Sequence, residues 1–370
     1  ELIMDNSKIG TAEAISIVLG VFVAHTLVSL PRSMLEATNS ATIINIIYVG
    51  IIAITLSILI YKLIKNFPGS DLVDISEYLG GKTFKKIVGI VFITYFISST
   101  AIIIRNFCEC LKIVYYPMTS LIFIILAFIV AICIVLKYNF STISKVNLLI
   151  IPLVAFSIIF LFIANMQNFS LYNIFPIMGN SLFNTFITGL GNLGAFGGIG
   201  LLYFLPPYLK EPAKMKKVFI TSIVLGTIYI LISVSIILFL LIFLMYSNEI
   251  MPLYSAARYV EFGTFFQRLE SAFLLIWIFQ MACYLTICSK FSIAIFKKIT
   301  NVKDDTPLIL VFGILIFSIS LLPSNYAVSK FIEDYVYKYM VLGIVLVFSI
   351  IILILANIKK RKKVGNKNES

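Results

Sequence analysis

Residues 182–205, LFNTFITGLGNLGAFGGIGLLYFL, form an apolar segment that is long enough to cross a bilayer but unusually rich in glycine. Each glycine inside a helix costs roughly 1 kcal/mol relative to alanine. Six glycines fall within twelve residues, which makes this the weakest helix among the apolar segments of the chain. They are Gly189, Gly191, Gly194, Gly197, Gly198 and Gly200. We call residues 182–205 the glycine segment.

The spacing of these glycines allows two interpretations. A broken span exposes unpaired peptide groups, which are tolerated in a membrane only where they face protein or a cavity, so a break predicts a binding site at mid-membrane. Alternatively, the glycines that recur every three residues from Gly191 to Gly200 would form a smooth stripe for close packing against a neighbouring helix. The segment alone does not decide between a break and a stripe.

The composition is that of an integral membrane protein. Hydrophobic residues make up 60% of the 370 residues and charged residues only 12%, which is far too apolar for a water-soluble domain of this length. The formal net charge of +12 comes from short basic clusters between apolar runs. Because this is the pattern of cytoplasmic loops, nucleic-acid binding is excluded.

The lengths of the apolar runs predict ten transmembrane helices in a single all-α transmembrane domain over residues 1–370. An amphipathic helix is expected over 71–80, and residues 358–370 form a basic tail. The predicted spans cover residues 12–35, 43–64, 84–114, 121–136, 146–164, 182–205, 218–246, 265–296, 308–322 and 335–357.

The placement of lysine and arginine predicts the orientation of these spans. If the N-terminus is cytoplasmic, 22 of the 29 Lys and Arg residues lie on that side, six lie on the other side, and Arg105 lies within a span. Both termini are therefore expected in the cytoplasm, because short loops rich in Lys and Arg stay there.

Ten spans divide into two halves of five, at about residues 12–164 and 182–357. An odd number of spans in each half turns the second half upside down relative to the first, as in transporters built from inverted repeats. The counterpart of the glycine segment is then the first span. Paired interruptions in corresponding spans are the best sequence pointer to a midplane binding site.

The first span also has an irregular middle, with Gly20, His25 and Pro31 among apolar residues. We therefore expect it to be broken between Val23 and Leu27, facing a break in the glycine segment between Gly191 and Gly200. His25 is the only histidine, and it allows two interpretations: a proton sensor or ligand group, or a neutral side chain bonded to a neighbouring helix.

Charged residues near the outer ends of the spans are expected to form ion pairs. Arg105 and Glu109 are four residues apart in the third span and share one helix face. They would close the outer side as a structural pair or act as a gate over the site. Four further residues at similar depth suggest a shared outer network: Arg32, Glu36, Arg268 and Glu270.

A small zwitterion, most simply an amino acid, is the expected ligand, held between the first, third, sixth and eighth spans. No mid-membrane acid is evident, so helix ends and exposed peptide groups would meet its charges. The candidate ligand-binding residues are Val23, Ala24, His25, Thr26, Leu27, Tyr95, Gly194, Gly197, Gly198, Ile199, Gly200, Trp277 and Gln280. Neither a metal site, a cofactor motif nor an arrangement of catalytic side chains is present in the sequence, so an enzyme is not expected.

Three segments resemble a known family. SLPRSML at 29–35, GGIGLLYFLPPYLKEP at 197–212 and FFQRLESAFLLIWIF at 265–279 are similar to the B subunit of spore germinant receptors. That family is a branch of the amino acid/polyamine/organocation transporter superfamily. The resemblance implies a LeuT-like fold with broken helices 1 and 6. It also implies residence in the inner membrane of an endospore, beside an A subunit and a C subunit lipoprotein.

The family implies a function in recognising nutrient germinants such as amino acids. Where family members often have a glycine-containing turn, this chain has Ala24, His25 and Thr26, which places in doubt a carboxylate site made of bare backbone. Three functions remain open from the sequence: a ligand-sensing receptor subunit, an amino-acid permease, and a structural scaffold for partner subunits. A fold shared by carriers and sensors does not decide between them.

Overall fold

A computed structural model describes residues 7–28, 30–241, 249–260 and 269–368. Within those ranges the regular structure is helical, and one parallel bridge joins Ile9 to Leu209. The helices are α1 Thr11–Val28, α2 Leu30–Thr38, α3 Thr42–Ile64, α4 Leu72–Val114, α5 Leu121–Val135, α6 Phe140–Ala164, α7 Leu182–Phe186, α8 Ile199–Leu202, α9 Met215–Leu240, α10 Pro252–Arg258, α11 Leu269–Thr300, α12 Thr306–Ser320, α13 Tyr326–Phe331, α14 Lys338–Met340 and α15 Ser349–Asn368.

Two other helix types complete the described chain. The 3₁₀-helices are Asn39–Ala41, Met166–Asn168, Leu171–Ile174, Thr188–Phe196, Pro206–Tyr208 and Pro212–Lys214. The π-helical turns Ile332–Tyr337 and Val341–Phe348 connect α13, α14 and α15 into one continuous rod. We call residues 326–368 the C-terminal helix.

The described helices are those of a multi-pass membrane protein. Seven of them are long and apolar enough to cross a bilayer, and α5 and α12 are shorter apolar helices. Some helices lie at the centre of the protein and others at its periphery. In α1, 72% of the residues are buried, whereas in the most apolar 18-residue stretch of α6 only 28% are buried. Large side chains such as Leu149 (73% exposed) and Phe156 (67% exposed) therefore form a surface that faces lipid.

The amphipathic helix predicted over residues 71–80 and the third predicted span are joined in α4. Gly81 has a φ of 74° inside this helix, a left-handed conformation that glycine adopts without strain, and it separates the two parts. The first part begins with a capping box, in which the Asp74 amide donates to Asp71 at 3.0 Å and the Asp71 amide donates to Asp74 at 3.2 Å. Lys298 from the end of α11 contacts both carboxylates, which ties this part to the bundle.

The predicted break in the first span is wrong. Helix α1 continues through Val23–Leu27 and ends at Val28, and α2 begins at Leu30, with Ser29 outside the described residues. Residues 23–27 contain neither glycine nor proline, the two residue types that most oppose a helix. The Thr26 hydroxyl donates to the Phe22 carbonyl at 2.6 Å, a bond within the helix itself. Pro31 is the second residue of α2, in the first turn of a helix, where proline is tolerated.

The glycine segment departs from the α-helix, as predicted, but it is overwound and not unwound. Residues Thr188–Phe196 form a 3₁₀-helix, and one turn of α-helix follows at Ile199–Leu202. The Gly200 amide donates to the Gly197 carbonyl at 2.9 Å, a bond that closes over three residues. Because a 3₁₀-helix has three residues per turn, glycines spaced by three lie in one row.

That row of glycines packs against the C-terminal helix. A Cβ atom at Gly194 would lie 2.6 Å from Cγ of Lys338, and one at Gly197 would lie 2.5 Å from the hydroxyl of Tyr337. Both distances are shorter than real contacts, so only glycine allows this approach. The glycine segment is therefore an irregular span and a packing stripe at once, and the two interpretations of the sequence do not exclude each other.

Candidate functional site

A small pocket lies between the start of α2, the glycine segment and the C-terminal helix. Its volume is about 40 Å³, room for roughly three water molecules. Two carboxylates and one ammonium contribute to it, so we call it the acidic pocket. Its lining residues are His25, Leu30, Ser33, Met34, Gly191, Asn192, Gly194, Ala195, Glu333, Asp334, Tyr337 and Lys338.

The most buried charged group of the acidic pocket is Glu333, which is only 5% exposed. One carboxylate oxygen accepts a hydrogen bond from the Asn106 side-chain amide at 2.5 Å, and the other lies 3.7 Å from Nδ1 of His25. An ionisable side chain buried in a membrane protein is expensive unless it has such partners, and it usually marks a functional site.

His25 connects Glu333 to two other elements. Its Nε2 lies 3.2 Å from the hydroxyl of Tyr284, and that hydroxyl lies 2.6 Å from the hydroxyl of Ser99. The imidazole also stacks on the ring of Tyr337, with centroids 4.7 Å apart. His25 is therefore bonded to a neighbouring helix and also lines the pocket, so both interpretations of this residue have structural support.

Two further charges of the acidic pocket lie one turn apart on the C-terminal helix. The Asp334 carboxylate accepts a hydrogen bond from the Ser33 hydroxyl and lies 3.6 Å from Nζ of Lys330. Lys338 has no ion-pair partner within the described part of the chain, and its Nζ would lie 2.9 Å from a Cβ at Gly191. Opposite charges four residues apart share one helix face, so the pocket presents both signs to an occupant.

Only some of the candidate ligand-binding residues lie at this pocket. His25 and Gly194 line it, and the Tyr95 hydroxyl lies behind them, 3.2 Å from the hydroxyl of Tyr337 and 3.4 Å from the Gly197 carbonyl. The others are buried in helix packing away from the lining: Val23, Ala24, Thr26, Leu27, Gly198, Ile199 and Gly200.

The two candidate ligand-binding residues of α11, Trp277 and Gln280, do not line the acidic pocket. The Gln280 amide donates to Oδ1 of Asn147 at 3.3 Å and approaches Gly20 of α1. Trp277 is fully buried and packs beside Phe273, with ring centroids 6.2 Å apart. Gln280 thus takes part in the packing of α11 against α1 and α6, and Trp277 is buried on the same helix.

The outer charges form two separate groups in the described residues. Arg105 lies 2.8 Å from Glu109, both of them mostly buried. The second group includes Glu36, which lies 2.7 Å from Arg32 and 3.7 Å from Lys330. Arg268 lies outside the described residues, and Glu270, in the first turn of α11, has no ion-pair partner among them.

The sequence did not identify the three charges that give the pocket its character: Glu333, Asp334 and Lys338. The last span was predicted to begin at residue 335, but the helix begins at Tyr326, so Glu333 and Asp334 lie within a membrane-spanning helix and not in the loop before it. A signal was present in the sequence. Lys330, Asp334 and Lys338 alternate in sign at a spacing of four, which indicates a helix that continues through the charges.

A comparison with known families agrees with this architecture. A family model described as spore germination protein matches residues 8–328. The chain belongs to that family. The resemblance of its motifs to germination proteins is thereby confirmed. The matched residues end at position 328, so the three charges of the acidic pocket, Glu333, Asp334 and Lys338, lie beyond the part of this spore germination protein that the family model covers.

Curated relatives cover most of the chain. Spore germination protein YndE of Bacillus subtilis (strain 168) is 26% identical over 326 residues, covering 86% of this chain and 88% of the relative. Spore germination protein A2 of the same organism is 24% identical over 344 residues, covering 89% and 90%.

Solved structures with the same fold are transporters. The Eremococcus coleocola manganese transporter in complex with an aromatic bis-isothiourea substituted compound aligns with a TM-score of 0.58 at 12% identity, covering 96% of this chain and 81% of the transporter. A single-residue mutant of the same transporter aligns with a TM-score of 0.54 at 13% identity, covering 93% of this chain and 77% of the transporter. At this identity the likeness shows the fold alone, and this spore germination protein is therefore a membrane protein with a transporter-like fold.

Proposed function

We propose that this chain is the nutrient-sensing subunit of a spore germinant receptor and that it binds a small zwitterion, an amino acid, in the acidic pocket. The observation that carries the proposal is the pairing of carboxylates and an ammonium in one buried pocket. Glu333 and Asp334 would meet the ammonium of the ligand, and Lys338 would meet its carboxylate.

The neighbours of these charges would prepare them for a ligand. His25 and Asn106 hold the Glu333 carboxylate in place, so little ordering is needed when a ligand binds. The row of glycines keeps the opposite wall free of side chains at Gly191 and Gly194. A ligand of few heavy atoms should still bind weakly, with a dissociation constant on the order of micromolar to millimolar.

A pocket of about 40 Å³ is too small for an amino acid, so binding requires an opening movement. The π-helical turns on both sides of Lys338 are candidates for the moving part, because π-helical turns are uncommon and frequently lie at functional sites. A ligand that binds only the open form would shift the protein towards it. That shift would be the signal passed to partner subunits.

We place this function in a ten-span, LeuT-like membrane domain of two inverted halves, about residues 12–164 and 182–357. Seven long helices, two shorter ones and the glycine segment would together make the ten proposed crossings. Both termini would lie in the cytoplasm, with the basic tail 358–370 on that side. The proposed location is the inner membrane of an endospore, and the proposed partners are an A subunit and a C subunit lipoprotein.

An amino-acid permease is the second candidate function. The fold is shared with transporters, and the buried Glu333 beside His25 is the kind of group that relays protons in carriers. Sensing and transport use the same pocket in this proposal, and they differ only in whether the ligand is released on the other side.

Binding and uptake measured on the same preparation would separate these functions. The protein in nanodiscs is titrated with a panel of radiolabelled L-amino acids, and uptake of the best binder is followed in proteoliposomes with and without a proton gradient. Saturable binding without uptake supports the sensor, and uptake supports the permease. Lys338→Met should weaken binding about tenfold or more, as expected for loss of one charge-assisted contact.

Lys216→Met is the matched control, since this exposed lysine at the start of α9 has no ion-pair partner among the described residues. Binding that is unchanged in Lys338→Met, or equally weakened in Lys216→Met, would contradict an amino-acid site at the acidic pocket.

A further inference from the structure

A second concave site lies between the middle of α4 and the end of α11, apart from the acidic pocket. It is an open groove with a volume of about 810 Å³. Because lysines form one end of it, we call it the basic groove. Its lining residues are Glu77, Lys82, Lys85, Lys86, Ile90, Ile93, Thr94, Phe296, Lys298, Ile299, Thr300 and Asn301.

The basic groove is polar at one end and apolar at the other. Helices α4 and α11 run in opposite directions, since Gly89 of α4 lies against Ile299 of α11 and Ser99, ten residues later, contacts Tyr284. The lysines of α4 therefore lie at the same end as Thr300 and Asn301. Ile90 and Ile93 lie at the other end, beside Phe296. The site is amphipathic along its length.

Two of the lysines are available for an anionic ligand. Lys85 is paired with Glu77 at 2.7 Å, and Lys298 contacts the carboxylates of Asp71 and Asp74. Lys82 and Lys86 are exposed, and neither has an ion-pair partner within the described part of the chain. The uncompensated positive charge of the groove thus lies at its polar end.

The apolar end of the groove lies at the depth of lipid hydrocarbon. Twelve residues separate Lys82 from Thr94, about 18 Å along a helix. Ile87 and Ile90 lie between them and are 50% and 57% exposed on a membrane-spanning helix. Isoleucines exposed at that position face acyl chains, because water does not reach the hydrocarbon region.

We propose that the basic groove is a binding site for an anionic phospholipid. Lys82 and Lys86 contact the phosphate of the headgroup, and an acyl chain lies along Ile90, Ile93 and Phe296. Basic pockets between spans are known to bind anionic headgroups. A soluble phosphate compound would use only the polar end, and an acidic protein segment would leave the apolar end in contact with bulk lipid.

Binding of fluorescent phosphatidylglycerol to the purified full-length protein in detergent tests the proposal. The variant Lys82→Gln with Lys86→Gln should bind roughly 25-fold more weakly, because each lysine near an anionic surface strengthens binding about fivefold. The control Lys216→Gln with Lys217→Gln removes the same charge from exposed positions at the start of α9 and should bind like the wild type. Phosphatidylcholine should bind no better to the wild type than to the double variant.

Three results would overturn the proposal. The first is equal phosphatidylglycerol binding by the wild type and Lys82→Gln with Lys86→Gln. The second is competition by glycerol 3-phosphate at the concentration at which phosphatidylglycerol itself competes, which would make the site a soluble-phosphate site. The third is weaker phosphatidylglycerol binding by the double variant that occurs only together with loss of a co-purifying partner subunit, which would identify the groove as a protein interface.

Discussion

Helix α1 and the glycine segment lie beside each other at the centre of the protein, and their backbones differ. In α1 the backbone stays a regular helix through Val23–Leu27. The glycine segment tightens into a 3₁₀-helix over Thr188–Phe196. Helix α1 thus contributes a side chain, His25, to the acidic pocket, whereas the glycine segment contributes the bare backbone of Gly191 and Gly194.

The difference shows which sequence irregularities change the backbone. A lone His or Ser among apolar residues costs a helix little, and Gly20 in α1 is compatible with helical geometry. Six glycines within twelve residues remove the preference for an α-helix altogether. Their period of three then matches the 3₁₀-helix, in which residues three apart are aligned.

Gly198→Leu should have the largest effect of the substitutions that test this comparison. A Cβ at Gly198 would lie 3.0 Å from the Phe22 ring and 3.3 Å from the Val18 carbonyl of α1, so a leucine has no space. We expect the free energy of unfolding to fall by more than about 3 kcal/mol, because overpacked cores are strongly destabilised. Little of the variant should then accumulate in the membrane. Membrane abundance by immunoblot is the measurement.

Gly343→Leu is the control for that experiment. A Cβ at Gly343 meets nothing within 4 Å, so this variant should accumulate at the wild-type level. Normal abundance of Gly198→Leu would mean that the contact between the glycine segment and α1 is looser than the structure shows.

Gly194→Ala should have the next largest effect. Its Cβ would lie 2.6 Å from the Lys338 side chain and 3.2 Å from the Lys338 backbone, and we expect a cost of about 2 kcal/mol. The matched change in α1 is Ala24→Gly, which should cost about 1 kcal/mol through helix propensity and a lost methyl contact. Thermal unfolding in detergent measures both. A Gly194→Ala protein as stable as the wild type would contradict the tight row of glycines.

His25→Phe should have a smaller effect on stability and a measurable one on the ligand. The phenyl ring can still stack on Tyr337 but cannot contact Glu333 or Tyr284 as His25 does. We expect amino-acid affinity to fall about tenfold and the free energy of unfolding to fall by about 1 kcal/mol, since Glu333 loses one polar partner but keeps Asn106, and the ring volume is kept. Isothermal titration in nanodiscs checks this, and unchanged affinity would remove His25 from the site.

Thr26→Val should have the smallest effect. The Thr26 hydroxyl bonds within α1 to the Phe22 carbonyl, and valine has the same shape without the hydroxyl. We expect the free energy of unfolding to change by less than about 0.5 kcal/mol and the nutrient response to stay within twofold of the wild type. A large loss of response with normal abundance would show that α1 opens at Thr26 when ligand binds.

The membrane class and most helices could be predicted from the sequence because they depend on local composition. The ends of helices were harder to predict when charges interrupted the apolar run. Glu333 and Asp334 were assigned to a loop by their charge, although Asn106 and Ser33 from distant elements bond them inside the bundle. Trp277 and Gln280 were predicted as ligand-binding residues, and the structure places both away from the acidic pocket, with Gln280 bonded to Asn147 of α6.

By itself the sequence determined that the chain is a helical membrane protein, that residues 182–205 are the weakest helix among its apolar segments, and that its motifs resemble germination proteins. These properties follow from hydrophobicity, glycine content and short motifs, which act locally. Only the tertiary structure decided that α1 stays intact and that Glu333, Asp334 and Lys338 lie beside His25. The physical reason is that a buried charge is stable only through partners supplied by other helices, and those partners are brought together by folding.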